Sequence, residues 1–230
     1  MSQPRILVGC EFSGVIRQAF VALGFDAWSC DLLPAEDGSN RHIRGDIRDV
    51  LDDGWDLLVV AHPPCTRLCR SGRRWLSGPG KMTPPKVLPK GRTWLDMQAE
   101  FDAGVSLFVA CWQAPIPHVA IENPKMHDLA QDRMPPDLPK PHIVQPFQFG
   151  HPEYKATGWY LRDLPPLVAT DTLSQPPKGS AEWKAWNRVH RMPRRPDRSK
   201  DRSRSFPGMA SALARQWGDV VLADLGRTAK

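Results

Sequence analysis

The run from Trp55 to Thr66, WDLLVVAHPPCT, constrains this chain more than any other stretch. Leu57 to Ala61 is β-prone and continuously apolar, without polar alternation, which is how a strand buried on both faces of a parallel sheet reads. His62, Pro63 and Pro64 then stop it. The prolines donate no ladder hydrogen bonds and hold φ near that of an extended chain, so Cys65 is delivered rigidly just past the carboxyl end of the strand. In open α/β sheets that edge is where ligands bind. A lone cysteine in such a place is as readily a buried structural residue, so its meaning depends on its neighbours.

Those neighbours repeat the pattern. Arg5 to Gly9 (RILVG) reads as a first buried strand, followed by CEFSG and by a helix from Val15 to Leu23 with Ile16, Phe20 and Leu23 at helical spacing. A turn carrying Ser13 and Gly14 beside a helix N-terminus can bring backbone N–H groups close to a ligand, because glycine lacks a Cβ and a helix end leaves donors free. Asp26 to Cys30 reads as a short second strand, and Asp31 follows it where a carboxylate can accept hydrogen bonds from ribose hydroxyls. His42 to Asp46 and Ile47 to Leu51 read as a third strand end and a short helix. Asp46 either binds a ligand amino group or caps that helix. A helix over about Thr93–Gln113 places Met97, Phe101, Val105, Phe108 and Trp112 on one core-facing stripe. His118 to Pro124 (HVAIENP) is one more buried strand, and it ends in Glu122 and Asn123. Neighbouring parallel strands ending in Cys65 and Glu122 would set a thiol and an acid on one rim.

Composition narrows the partners. The 230 residues are 41% hydrophobic and carry a net charge of +6 with a pI near 9.2, which favours a polyanionic partner. The charge is concentrated in two places. Thr66 to Met97 holds eight Lys or Arg, among them Arg67, Arg70, Arg73 and Arg74, against Asp96 alone. Lys184 to Arg204 holds nine, among them Arg194 and Arg195, against Asp197 and Asp201, with Trp183 and Trp186 just before most of them. Basic residues beside aromatics suit phosphate contact and base stacking. The five cysteines are odd in number and lie mostly in apolar runs, against a secreted disulfide framework, so a cytoplasmic setting is expected. Cys65 and Cys69 lack a second pair at zinc-site spacing, so no metal is expected. No secretory signal and no membrane span are expected either.

Taken in order, these motifs resemble the DNA cytosine carbon-5 methyltransferases. The first motif of that family is similar to Glu11, Phe12, Ser13 and Gly14, its ribose-binding acid to Asp31, and its Gly-Asp-Ile segment to Gly45, Asp46 and Ile47. Its Pro-Cys nucleophile motif is similar to Pro64 and Cys65, and its Glu-Asn motif to Glu122 and Asn123. The resemblance covers roughly residues 5–125. Thr66 and Pro124 stand where the family usually has Gln and Val. Lys155 and Thr157 fall where its later arginines align, and Phe206 to Gly208, with a helix from Met209 to Trp217, stands for its last motif.

The resemblance implies an α/β fold, a doubly wound, mostly parallel Rossmann-like sheet of the S-adenosylmethionine-dependent methyltransferase type. It further implies a core over 1–163 with a basic catalytic loop at 66–97, a reduced basic recognition segment at 164–205, and a helix over 206–230 returning to the core near the first strand. Cys65, Glu122, Asn123 and Lys155 would be catalytic. Glu11, Phe12, Ser13, Gly14, Asp31, Asp46, Ile47 and Pro64 would hold S-adenosyl-L-methionine, with Phe12 either an aromatic wall or simply core. Arg67, Arg70, Arg73, Arg74, Arg194 and Arg195 would contact DNA. The implied reaction is methyl transfer to carbon 5 of a flipped-out cytosine through a covalent Cys65 adduct, of the kind phages and mobile elements use against restriction. An enzyme acting on RNA or adding another group to a pyrimidine, and a non-catalytic DNA-binding relative, are the alternatives.

Overall fold

The computed structural model describes residues 3–76, 88, 90–193 and 198–226. Seven strands make one sheet: β1 (Arg5–Gly9), β2 (Asp26–Asp31), β3 (His42–Arg44), β4 (Leu57–Val60), β5 (His118–Glu122), β6 (His142–Val144) and β7 (Thr157–Arg162). They lie in the order β3-β2-β1-β4-β5-β7-β6. β1 to β5 are parallel to their neighbours, and β7 is antiparallel to β5 and β6. This is the doubly wound, mostly parallel Rossmann-like architecture expected above, closed at one side by an antiparallel pair. The chain order reverses between β1 and β4, the position beyond whose strand tips open α/β sheets place their ligands.

Helices cover both faces, so the central strands need no polar residues. On one face α1 (Val15–Ala22) and α7 (Pro207–Asp224) pack together, with Ile16, Phe20, Leu213 and Trp217 buried against Ile6, Val8, Leu57, Val59 and Trp159. α7 thus shares one buried cluster with Ile6 and Val8 of β1, and it continues well past Trp217. The other face is filled from α2 (Trp94–Trp112), whose Phe101, Phe108 and Trp112 meet Leu7, Leu58, Val60 and Ile121. Thr93 and Asp96 start α2 as a reciprocal capping box. A Cβ on its Gly104 would stand 3.1 Å from the Pro64 carbonyl oxygen, so α2 presses directly on the Pro-Cys loop. The remaining helices, α3 (Asp128–Gln131), α4 (Ala181–Trp186), α5 (Arg188–Arg191) and α6 (Arg198–Arg202), are short and lie outside the sheet sandwich. Among the described residues no helix is long and apolar enough to cross a membrane.

Candidate active site

Strand register assembles the site. Gly9 pairs with both Cys30 and Val60, Val60 pairs with Ile121, and Glu122 pairs with Trp159. The residues that follow, Cys10, Asp31 and Ala61, therefore share one rim with Glu122, and the Pro-Cys loop rises from it. β4 and β5 are parallel neighbours, as the thiol-and-acid pairing required.

Glu122, Cys65 and Lys155 form one electrostatic unit. Burial pushes the Glu122 carboxyl up to about 7, with Lys155 pulling the other way. Burial also pushes the Cys65 thiol to about 12, reinforced by the charges of Glu122 and Cys69 and opposed by Lys155. The Lys155 ammonium is in turn held below its ordinary value by burial, against the favourable fields of Glu122 and Cys65. Its Nζ donates to the Arg202 carbonyl oxygen at 2.8 Å and lies 5.8 Å from the Phe206 ring centre. Asn123 is fully buried: its Nδ2 donates to the Pro124 carbonyl oxygen at 2.6 Å, and its backbone N–H donates to Gly158, which fixes the turn that carries Glu122.

Sequence reasoning missed two members of this unit. His62, marked only as the residue that ends the strand, is half-buried beside Lys155 with its Nε2 3.0 Å from Ser205 Oγ. Burial, then the Lys155 charge, holds its ring well below the ordinary histidine value, so it stays neutral. Ser205 and Phe206 themselves close the site from the C-terminal side. Glu122, His62, Lys155, Thr157, Ser205 and Phe206 line a cavity of only about 20 Å³, room for one water.

The first turn is organised differently from expectation. Glu11 is fully buried, and its carboxylate accepts from the N–H groups of Ile16 at 2.7 Å and Arg17 at 3.2 Å. Two of the donors expected to be free at the start of α1 are thus taken by Glu11, which shapes the loop from within. Burial pushes its carboxyl up to about 7, while those two N–H groups, Arg17 and Ser13 pull it down. Gly14 adopts φ +74°, and a Cβ there would stand 2.2 Å from the Arg17 guanidinium. Cys10 also lies in the left-handed region at φ 53°. Phe12 is buried, with the Arg204 guanidinium 6.0 Å over its ring.

Asp31 keeps a half-buried carboxyl at the β2 tip, accepting from Leu33 N–H at 2.9 Å; burial holds it above the ordinary aspartate value. Asp46 takes the capping alternative: it accepts from Arg48 N–H at 3.0 Å and pairs with the Arg48 guanidinium. Ile47 is buried against Gly9 as a floor below the turn, and Pro64 is exposed on the loop. Asp31 and Asp46 both act on Cys10, so the two acids gather at the turn from separate strands. A strand-end carboxyl, a glycine turn and a buried aromatic are a donor set that fits the ribose and adenine parts of S-adenosylmethionine.

The arginines divide. Arg67 turns inward, where its Nε donates to Glu100 at 2.7 Å, because the loop begins packed against α2; it is corrected from a nucleic-acid contact to a structural pair. Arg73 is exposed and paired with Asp128. Arg70 and Arg74 are exposed, with Arg74 stacked 5.1 Å from the Trp75 ring centre. Arg194 and Arg195 lie outside the described residues. Trp186 is also corrected: it is buried against Phe147 and Tyr154 and offers no stacking surface. Among the described residues no cluster of three His, Cys, Asp or Glu is placed to hold a metal.

No family model and no curated protein matches the chain. Solved structures with a similar chain path include one described as a DNA modification methyltransferase encoded within a prophage of E. coli, at 11% identity and a TM-score of 0.44 over 69% of this chain and 46% of that one. Others are the Dnmt2 methyltransferase of S. pombe, at 15% identity and 0.39 over 69% and 48%, and a substituted DNMT2 of Spodoptera frugiperda, at 14% and 0.40 over 76% and 56%. The chain spans about half the length of these structures, and at such values the likeness concerns the path of the fold alone.

Proposed function

We propose that this protein transfers a methyl group from S-adenosylmethionine to carbon 5 of a cytosine held outside the base stack in DNA. The observation that carries the reading is the meeting of Cys65, Glu122 and Lys155 at the tips of adjacent strands. Carbon 5 of cytosine is a poor nucleophile until a group adds to carbon 6. Cys65 supplies that group: its thiol proton passes to solvent water, and the thiolate sulfur then forms the bond to carbon 6. Glu122, held up to about 7 by burial, carries a proton near neutral pH and donates it toward ring nitrogen 3, where the electron pair displaced by addition collects. A protonated Glu122 also removes one of the charges that oppose the Cys65 thiolate. Lys155 holds down the thiol value.

When bound, S-adenosylmethionine supplies an electrophilic methyl carbon. Asp31 would hold its ribose, Phe12 to Gly14 would line its base, and Glu11 would keep that turn in shape. After carbon 5 accepts the methyl group, its proton passes to a solvent water, the electron pair of the C–H bond re-forms the C5–C6 double bond, the C–S pair returns to Cys65, and ring nitrogen 3 gives its proton back to Glu122. Because carbon 6 is hidden in stacked duplex, the base must first be extruded, at a cost of about a few kcal/mol. Exposed Arg70 and Arg74 suit the backbone contacts that offset it.

Duplex DNA incubated with a labelled methyl donor should acquire label on cytosine carbon 5, and Cys65→Ala should remove it while donor binding persists. Label on RNA alone, or on no nucleic acid, would overturn this reading.

A further inference from the structure

A second, much larger cleft lies on the outer side of the wall that closes the site. It has a volume of about 390 Å³, within the range of nucleotide-sized ligand pockets. Lys155, Ser205 and Phe206 line both this cleft and the closed cavity at Glu122, so one layer of side chains separates them. The cleft is basic: Lys155, Arg188, Arg202 and Arg204 line it against Asp201.

These cations are not equally committed. Arg204 is held by both carboxylate oxygens of Glu36 across the Phe12 turn, and Arg188, two-thirds exposed, pairs with buried Glu153 at 3.1 Å. Arg202 differs. Its Nε is buried without a hydrogen-bond partner, its carbonyl oxygen receives the Lys155 ammonium, and its charge acts against that ammonium. Two cations side by side, with a buried N–H donor unanswered, form an arrangement that an anion with several acceptor oxygens would complete. Arg offers a planar fork matched to such oxygens.

We propose that this cleft binds a phosphodiester of the nucleic-acid backbone next to the extruded cytosine, with Arg202 as its principal contact and Arg188 at its mouth. The proposal rests on the function proposed above. Phosphate contact at Arg202 places the attached nucleoside against Ser205 and Phe206, which must move aside, because the cavity behind them holds one water and not a base. The Lys155 ammonium then leaves the Arg202 carbonyl for the incoming ring.

The test uses the single-stranded hexanucleotide TTCTTT, which carries no extrusion cost, with each phosphate in turn replaced by an uncharged methylphosphonate. Binding to the full chain is read by fluorescence anisotropy at low salt. At one position beside the cytosine the neutral linkage should weaken binding about tenfold, the size of one charge-assisted contact. Arg202→Ala should weaken binding of the unmodified strand by a similar factor, and combining the two should give no further loss. Arg202→Lys should recover part of the affinity, and Arg188→Gln, a change at an exposed side chain, should show the same non-additivity to a smaller degree. No binding of the hexanucleotide, or losses that multiply at every position, would overturn the proposal. If the coupling holds while no nucleic acid is methylated, the methyl-transfer reading fails and the phosphate cleft stands. Methylation with multiplying losses gives the reverse.

Discussion

Glu122 and Lys155 set opposing demands on one another, and pH separates them. Glu122 acts as the protonated form, so kcat/KM should fall as pH rises through about 7. Lys155→Met removes the charge that lowers the Glu122 value, so this alkaline fall should move to higher pH, with a plateau lower by about 10²-fold. A fall that stays in place in the variant would dissociate the two groups. The same burial has a cost in stability. The folded carboxyl titrates near 7 and an unfolded one near 4.5, so the folded state binds more protons between these values, and Glu122 destabilises the fold as pH rises from about 4.5 to 7. Glu122→Gln should therefore stabilise the protein at pH 8 by on the order of 2 kcal/mol, a gain that shrinks toward pH 4.5 in urea unfolding. A gain independent of pH would place the effect elsewhere. Cys65 and Glu122 were legible in the sequence because Glu122 ends one apolar run and Cys65 follows another just past the prolines that stop it, and two such runs have few ways to pack. The His62 to Ser205 contact was not, since it joins residues 143 positions apart and nothing local marks either as a partner. Arg67 misled for the opposite reason: a basic loop reads as solvated, and only the packing of α2 shows that one of its arginines turns in toward Glu100.

At the scale of elements, the turn between β1 and α1 is where local geometry and function are most tightly joined. Glu11 takes the first donors of α1 and Gly14 sits at φ +74°, so the loop has one shape. Gly14→Ala should cost about 1–3 kcal/mol through backbone strain and collision with Arg17, and should weaken methyl-donor binding more than nucleic-acid binding. Equal weakening of both would mean that the turn only supports the fold. The β1-α1-β2 succession was readable because hydrophobic period, turn residues and helix spacing agree there. The antiparallel β7 and β6 carry no comparable local signal. The pairing of β7 (TGWYLR) with β5 depends on the return of the chain after Asn123, a long-range choice. The tryptophans before the basic C-terminal run pointed to stacking on nucleic acid, yet Trp186 is buried against Phe147 and Tyr154, where large aromatic rings pack together.

Across the whole molecule, a net charge of +6 includes exposed Arg70 and Arg74 on the Pro-Cys loop and the arginines around the outer cleft. Affinity for duplex DNA should therefore fall steeply with salt, and replacing Arg70 and Arg74 by Ala should reduce the slope of log affinity against log salt by about one for each phosphate that these side chains neutralise. Arg67→Ala should leave the slope unchanged and lower stability instead, since its partner is Glu100. All of these depend on Cys65 being the group that adds to the pyrimidine. The direct measurement is to incubate the protein and S-adenosylmethionine with duplex DNA in which 5-fluorocytosine replaces cytosine in every sequence context, then to map any stable protein–DNA bond by peptide mass spectrometry. Fluorine cannot leave carbon 5 as a cation, so the adduct should persist, be found on Cys65, and vanish in Cys65→Ser; absence of an adduct, or one that survives that substitution, would contradict the account.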